Sequence, residues 1–489
     1  MRIILSFGLL LIFTLSHSQT ASDALRFSYQ DGSGISTARS LGVGGAMSAL
    51  GSDFSVISTN PAGLGWYRRS EFVITPSLAA ISTESKLLES DDALINKEGL
   101  SKLGLSNLGF VVASRPTASQ WTAFNFGIGL NQLANFNQRF YYDGQSVGSI
   151  INRFQELANG DDALDDFESG LAYDAEALYD FDDDGFYDSD VELRPNALIY
   201  KEQTVTTSGS INELTFAFAG SYNDKLLMGV TIGVPFMNYN VDKLYKESDQ
   251  GEDPGGNVPF FDDLEFTESL NTTGIGINLK AGLIYRPIQA VRLGIAVHTP
   301  TAYGLNDTYR NTMTYFYTDN AGSKSGDAES PDGLFDYKFR APWRIIGGLG
   351  VIIGKAGFLS GEVEWADYTG AQFNYSGFQD AEREVNNDIV NQLQAAANIR
   401  LGGELAFEIF RLRAGFGLHQ SPVQGDDTVN ESISAGFGIR EKSFFLDLGY
   451  RHYLVEDTYT PYLTSEAPMQ FVNNDVANGR FLLSVGFRF

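Results

Sequence analysis

The chain has 489 residues and a formal net charge of -27 at pH 7, because 61 Asp and Glu outnumber 34 Lys and Arg. This balance argues against nucleic-acid binding, since phosphate backbones are bound by clusters of Lys and Arg. The chain has no Cys, which excludes both a disulfide framework and a lipoprotein signal.

The first 18 residues have the pattern of a secretory signal peptide. Arg2 precedes an apolar stretch over 3–15, and residues 16–18 provide a cleavage site. A membrane-spanning helix needs about 20 apolar residues, so the stretch is too short to be an anchor. We therefore expect residues 1–18 to be removed during export.

Residues 19–70 do not show the alternation of a membrane-spanning strand. The segment is rich in Gly, Ala and Ser, most densely over 40–51, and Asn60-Pro61 predicts a turn. Small residues allow backbone segments to pack closely. The fourteen strands predicted from residue 71 onward enclose a lumen that side chains alone do not close. About fifty residues of this composition ahead of such a barrel are suited to fill its lumen. We therefore predict an N-terminal hatch over 19–70.

From residue 71 onward, apolar and polar side chains alternate with the period of β-strands. The chain ends on such a run, Arg480 to Phe489, with Phe or another apolar residue at every odd position from 481. About ten residues cross a bilayer as a tilted strand. Fourteen candidate strands are predicted at 71–82, 105–115, 121–137, 210–222, 225–238, 270–286, 290–301, 337–353, 356–370, 395–409, 411–421, 431–441, 443–453 and 480–489. The predicted fold is all-β, a 14-stranded antiparallel transmembrane β-barrel over 71–489.

The predicted connections alternate strictly between short turns and longer segments. This is the pattern of an outer-membrane barrel, which has short periplasmic turns and longer extracellular loops. The largest predicted loop is 138–209, and another covers 302–336. Residues 309–317 could form a strand, but we assign them to the loop because a fifteenth strand would break the alternation.

The two faces of the predicted strands differ in chemistry. A charged side chain facing lipid at mid-depth costs a few kcal/mol, so the charged alternates are expected to face the lumen. The expected outward residues include Phe124, Met228, Leu401, Leu412 and Phe437. The expected lumen residues include Glu213, Lys280, Glu364, Arg400 and Asp447.

Two features in and beside the loop 138–209 are candidate sites. Aromatic residues at the end of strand three are followed by apolar residues over 150–157 that are spaced as one face of a short helix, which is typical of a surface that captures a hydrophobic ligand but also of a helix packed on its own loops. The candidate ligand-binding residues are Phe136, Phe140, Ile150, Ile151, Phe154 and Leu157.

The second feature is acidic. Asp180, Asp182, Asp184 and Asp188 follow the start of a calcium-binding loop, with Gly at the turn between them. The twelfth position is Val191, so the bidentate Glu of a complete loop is missing. The run is therefore either a solvated surface or a calcium site, and no other cofactor is expected.

The segment Gly45 to Leu64 resembles the N-terminal hatch of the FadL/TodX family, whose Asn-Pro-Ala signature stands here as Asn60, Pro61 and Ala62. Residues 292–300, 341–348 and 362–368 also resemble later strands of that family. The resemblance implies a 14-stranded barrel with a lumenal hatch, gated at Asn60, Pro61 and Ala62. It also implies passage of hydrophobic molecules such as long-chain fatty acids or aromatic hydrocarbons.

We therefore expect a monomeric, non-enzymatic channel in the outer membrane of a Gram-negative bacterium, with outer-membrane lipid and a hydrophobic small molecule as its partners. One alternative stays open. Some FadL-like barrels, PorV among them, act as protein-docking or secretion-system components, and the long acidic, aromatic loops would suit protein partners.

Overall fold

A computed structural model provides the fold, and it is dominated by one antiparallel sheet. The predicted signal peptide, residues 1–18, lies outside the described residues. The structure describes residues 19–28, 36–117, 119–160, 164–251 and 258–489.

Nineteen strand segments form the sheet in the described part of the chain. In chain order they are β1 (Glu71–Leu87), β2 (Asn96–Ser114), β3 (Trp121–Asn135), β4 (Gln138–Val147), β5 (Leu198–Tyr222), β6 (Leu226–Ser248), β7 (Phe261–Ile288), β8 (Val291–His298), β9 (Ala302–Asp319), β10 (Gly322–Glu329), β11 (Gly333–Arg340), β12 (Arg344–Ile353), β13 (Gly357–Asp367), β14 (Gln372–Tyr375), β15 (Ala395–Phe407), β16 (Phe410–Gln420), β17 (Val429–Arg440), β18 (Phe444–Tyr459) and β19 (Val472–Arg488).

The segments make fourteen barrel strands because several are pieces of one strand separated by short breaks. The pieces are β3 with β4, β8 with β9, β10 with β11 and β12, and β13 with β14. Three of the breaks contain a proline, namely Pro300, Pro331 and Pro342. A proline has no N–H to give to the neighbouring strand, so the ladder is interrupted there. The fourteen-stranded antiparallel barrel predicted from the sequence is confirmed.

The barrel closes between its first and last strands. β1 pairs with β19 along its length, from Glu71 opposite Arg488 to Leu87 opposite Val472. The terminal strand is longer than predicted. It starts at Val472, eight residues before the predicted start at Arg480.

The side chains sort by face as the alternation predicts. The outward positions form an apolar belt, which includes Phe124, Met228, Leu401, Leu412 and Phe437, all exposed. The lumen-facing charged residues are buried, and include Glu213, Lys280, Glu364, Arg400 and Asp447. This separation is the one that a membrane-spanning barrel requires.

The two ends of the barrel differ in the length of their connections and in how far the strands extend. At one end, here the short-turn end, connections such as 223–225, 289–290 and 408–409 are only two or three residues long. At the other, here the long-loop end, the strands continue beyond the belt. Residues 138–147 and 198–209 of the predicted large loop are strand, so the insertion between strands three and four is 148–197.

The assignment of 309–317 to a loop is wrong. These residues belong to β9, which pairs with β7 on one side and with β10 and β11 on the other. The alternation survives because β9 and β10 are outward extensions of strands seven and eight, joined by a tight turn at 320–321. Extending two neighbouring strands changes their length and leaves their number unchanged.

The helices are short and lie inside or above the barrel. They are α1 (Ala21–Ser28), α2 (Ala38–Gly42), α3 (Ile150–Ala158), α4 (Ser169–Asp174) and α5 (Gln379–Gln392). Short 3₁₀ turns occur at Phe54–Ser58, Pro61–Trp66, Asp190–Leu193 and Tyr368–Gly370. Among the described residues, no helix is long and apolar enough to cross a membrane.

The insertion 148–197 forms a cap at the long-loop end. Asn311 of β9 donates a hydrogen bond to the carbonyl of Phe167 at 3.0 Å, and Arg153 donates to the carbonyl of Leu463 at 3.1 Å. These contacts lie on strand seven and on the connection between strands thirteen and fourteen, which are about half a turn of the barrel apart. The cap therefore reaches across the mouth.

Candidate functional site

Residues 36–70 of the hatch are bonded to the barrel wall along their length. Backbone N–H and C=O groups of the hatch form hydrogen bonds with lumen-facing side chains of the wall. These bonds replace the ones that regular secondary structure would provide. The bonds join Ala38 N to Ser484 Oγ at 2.8 Å, Ser48 N to Glu362 Oε2 at 2.9 Å, and Thr231 Oγ1 to the carbonyl of Ile57 at 2.9 Å.

The predicted gate residues Asn60, Pro61 and Ala62 are all buried at the start of a 3₁₀ turn. The Asn60 side chain caps this turn by accepting a hydrogen bond from Ala62 N at 3.2 Å. Its Nδ2 donates to the carbonyl of Ser48 at 2.8 Å and to that of Leu283, in the wall, at 3.2 Å. One side chain therefore links the turn, the rest of the hatch and strand β7.

Two wall glycines allow this close approach. A Cβ at Gly282 would overlap Asn60 Oδ1, and a Cβ at Gly229 would overlap the carbonyl of Pro61. At Gly229 the neighbour is hatch backbone and at Gly282 it is the Asn60 side chain, so a larger residue at either position would push the predicted gate segment into the lumen. Outside the same patch, the belt forms an apolar groove of about 900 Å³ whose lining includes Gly229, Gly282 and Phe218. At this point the wall is one strand thick between the predicted gate residues and the lipid.

A first buried ion network holds the middle of the hatch. Arg400 bonds Glu362 at 2.9 Å and Glu364 at 2.8 Å, and Arg344 bonds the other oxygen of Glu364. Glu362 also accepts the bond from Ser48 N. Each buried carboxylate has a cationic partner, which offsets the cost of removing it from water.

A second network holds the start of the hatch. Arg39, in α2, bonds Glu404 at 3.1 Å, and Glu404 also bonds Arg413 at 2.7 Å. Arg413 is fully buried and continues to Asp447 at 2.8 Å. The hatch charge of Arg39 is thus part of the wall network, so ion pairs join the hatch to the wall.

On the long-loop side of the gate, the lumen contains an aromatic chamber. It is formed by buried rings on the upper parts of strands five and seven to nine, packed with apolar residues of α5. The rings are Tyr239, Tyr303, Tyr337, Phe339, Tyr368, Phe373 and Tyr375. A polar pore would not line its middle in this way, whereas sites for hydrophobic ligands are mostly apolar and aromatic.

Helix α1 occupies this chamber. Phe27 packs edge-on against Tyr239 and Phe339, with ring centroids 6.0 and 5.9 Å apart. Just before the helix, Gln19 Nε2 donates to Asp307 at 2.8 Å. The N-terminal helix therefore fills the apolar space directly above the gate.

The six predicted ligand-binding residues fall into two groups. Phe136 and Phe140 belong to the chamber, where Phe136 packs on Tyr239 with centroids 5.1 Å apart. The other four are on α3 in the cap; Ile150, Ile151 and Phe154 are buried there, while Leu157 is half-buried. The structure thus does not bring the six together at one surface, and the apolar face of α3 packs on the rest of the cap and on the upper parts of β6, β7 and β9.

Polar contacts fix the start of α3 beneath the cap. Glu247 accepts hydrogen bonds from the Ser149 hydroxyl and from Ile150 N, the latter at 2.9 Å. Nearby, burial lowers the pKa of Lys201 to about 8. Its amine donates to both the carbonyl and the hydroxyl of Ser146, at 2.7 and 2.9 Å. These hydrogen bonds hold the first turn of α3 and the end of β4 in place on the neighbouring strands.

Replacing Phe154 by Ala is expected to destabilise the cap by about 3–5 kcal/mol, the cost of deleting a buried ring. Phe154 is fully buried and packs on Phe266 with centroids 5.2 Å apart. Limited proteolysis within 148–197, compared between the variant and the native chain, measures this effect. The exposed Phe181→Ala variant is the control, and equal protection of all three proteins would contradict the assignment of Phe154 to the cap core.

The acidic loop brings three of its four predicted calcium ligands together. Carboxylate oxygens of Asp180, Asp182 and Asp184 lie within 4.8 Å of one another. The neighbouring Asp184 raises the pKa of Asp182, because protonation relieves their repulsion. Asp188 instead forms a backbone bridge with Tyr179, and its carboxylate faces the N–H of Phe181 at 3.4 Å. Calcium at this loop stays a prediction.

Titration calorimetry tests the calcium prediction directly. If the loop binds the ion, the purified protein should give a saturable calcium heat that is lost in an Asp182→Asn/Asp184→Asn variant, because both ligands lose their charge. The Asp165→Asn variant, outside the triad, is the control. No heat with the native protein would remove calcium from the account.

The wall has a seam between strands two and three. Backbone pairing of β2 with β3 ends at Asn107 opposite Asn131, and in the described residues the outer half of β2 pairs only with β1. Side chains bridge both ends of the seam. Arg480 bonds Ser106 and Gln132 at the lower end, and Arg139 lies 3.4 Å from Glu98 at the upper end.

Sequence reasoning missed the wall glycines that receive the gate. The alternation already places Gly229 and Gly282 on the lumen face, between outward Met228 and Val230 and between outward Ala281 and Leu283. Inward glycines at one level of neighbouring strands are the signal of a close backbone approach.

No protein-family model and no curated protein sequence matches this chain, whereas solved structures do. A Pseudomonas aeruginosa FadL homologue is 13% identical with a TM-score of 0.56, and the match covers 93% of this chain and 98% of that one.

Two toluene transporters have the same arrangement. The Pseudomonas putida transporter TodX is 12% identical and the Ralstonia pickettii transporter TbuX 15% identical, each with a TM-score of 0.50. Both matches cover 93% of this chain and 98% of the other. The chain therefore has the fold of the FadL and TodX channels, a fourteen-stranded membrane barrel closed from within by an N-terminal hatch.

Proposed function

We propose that this chain is an outer-membrane channel of a Gram-negative bacterium that takes up hydrophobic small molecules. The aromatic chamber inside the barrel carries this proposal. A lumen used for ions or sugars needs a polar path, whereas this one has its largest buried apolar cluster between the cap and the gate.

The route that the geometry favours begins at the long-loop end, which faces the cell exterior. A molecule that passes the cap enters the chamber and replaces the apolar face of α1, where Phe27 now packs. It then meets Asn60, Pro61 and Ala62, which act as the gate. Because Asn60 is bonded to Ser48 and to the wall, opening requires these bonds to break.

The substrate class is long-chain fatty acids or other hydrocarbons. Toluene is the substrate named for TodX and TbuX, which share the fold. The chain has no proposed catalytic activity, and we propose that it acts as a monomer, since the hatch is supplied by the same chain as the wall.

A second candidate function rests on the outer surface of the cap. Phe181 and Phe186 are 85% and 64% exposed on the acidic loop, and Tyr173 is 44% exposed nearby. Exposed aromatics of this kind favour contact with other proteins. In this alternative the barrel docks a protein at the cell surface, as a PorV-like component would.

Analysis of what stays bound to the protein after purification in a mild detergent distinguishes the two candidate functions. For a transporter we expect mass spectrometry to detect a hydrophobic small molecule that stays with the native protein and is reduced by Phe339→Arg, which puts a charge in the chamber. Phe181→Arg, on the cap surface, is the matched control. Loss of a stable protein partner in Phe181→Arg, with no small molecule in the native sample, would favour docking.

A further inference from the structure

The short-turn side of the gate carries two arginines that have no carboxylate partner. Arg286 follows Ile284 on the lumen face of β7, and Arg292 is the second residue of β8, just after the turn. In the described part of the chain, neither forms an ion pair. Arg68, on the same side, is different because it pairs with Asp224.

Both arginines surround Trp66 of the hatch. The guanidinium carbon of Arg292 lies 4.4 Å from the ring centroid, and that of Arg286 lies 5.2 Å from it. Trp66 also packs on the buried cluster of Ala62, Leu227 and Ile284. The group therefore lies directly below Ala62 of the gate, on the path towards the short-turn end.

The cluster contains hydrogen-bond donors without an acceptor among the described residues. Trp66 Nε1 and Arg292 Nε are both buried with no hydrogen-bond partner among the described residues. Stacking on the ring explains the position of the arginines, yet it leaves these N–H groups unsatisfied. Another nitrogen of Arg292 is already used, since it donates to the carbonyl of Leu50.

We propose that Trp66, Arg286 and Arg292 form an exit site for the carboxylate of an anionic, long-chain amphiphile. A carboxylate presents two oxygens that accept up to four hydrogen bonds, which suits an indole N–H flanked by guanidinium groups. The alkyl chain then extends back along Ala62, Leu227 and Ile284. The proposal rests on the proposed transport function and narrows its substrate to hydrophobic acids.

Arg286 is the residue to change, because within the described residues its side chain makes no hydrogen bond to the hatch, whereas Arg292 donates one to the carbonyl of Leu50. Uptake of radiolabelled oleate and of uncharged oleyl alcohol is measured in cells in which this chain is the only such channel. Arg286→Gln should reduce oleate uptake about tenfold, as for loss of one charged hydrogen bond, and leave the alcohol unchanged. Arg286→Lys should restore part of the oleate uptake.

Arg69→Gln is the matched control, because Arg69 is an exposed arginine at the same end that bonds only the carbonyl of Lys442. Equal losses of both substrates in Arg286→Gln, or no loss of either, would overturn the exit site while leaving transport intact. Absence of uptake of both substrates by the native chain would instead overturn the proposed transport function.

Discussion

Oxidation of an Asn60→Cys/Gly282→Cys variant is expected to stop uptake of hydrophobic substrate, and reduction is expected to restore it. A Cβ at Gly282 would lie 2.9 Å from Asn60 Cγ, the position that a cysteine sulfur would take. In a disulfide the Cβ of one cysteine and the sulfur of the other are about 3 Å apart, so the pair is placed to bond. The bond would fix the gate to β7.

This variant provides its own control, since oxidised and reduced forms have the same sequence. The chain has no native Cys, so no competing disulfide can form. Each single variant, treated with oxidant, shows whether the oxidant itself affects uptake. Equal uptake before and after verified cross-linking would mean that substrate avoids the gate, and the seam between β2 and β3 would become the leading route.

Replacement of Arg400 by Met is expected to lower the free energy of unfolding by about 3–5 kcal/mol, the cost of leaving a buried charge without its partner. The change removes the cation shared by Glu362 and Glu364, both buried. Because Glu362 also holds Ser48 N, the hatch should loosen with the wall. Guanidinium unfolding in detergent, with protease digestion of residues 36–70, measures both effects.

Arg383→Met is the matched control for this prediction. Arg383 pairs with Asp380 on α5, where both side chains are largely exposed, and such pairs contribute at most about 1 kcal/mol. Equal stability of the Arg400→Met and Arg383→Met proteins would contradict the role assigned to the buried network.

The barrel could be predicted from the sequence because lipid imposes a strict rule on each strand. Charged residues such as Glu364, Arg400 and Asp447 have to alternate with the apolar belt, and this fixes which face of each strand meets the lipid. The rule weakens beyond the belt, where both faces of a strand meet water or protein. This explains why 309–317 was wrongly assigned to a loop.

The site was less predictable because it depends on contacts between distant parts of the chain. A local motif identified Asn60, Pro61 and Ala62, but their fit against the wall depends on Gly229 and Gly282, far along the sequence. The apolar periodicity of α3 is the same whether the helix faces a ligand or its own cap. The contact of Phe154 with Phe266 of β7 joins residues more than a hundred positions apart, and the spacing within α3 does not show it.

The most direct test of the transport function is uptake by intact cells. A Gram-negative strain without its own channel for hydrophobic compounds is supplied with this chain, and entry of radiolabelled oleate and toluene is followed, with sucrose as a polar comparison. The account predicts saturable entry of at least one hydrophobic compound, above that of cells without the chain, and no added entry of sucrose. Entry of sucrose alone, or no difference from cells without the chain, would contradict it.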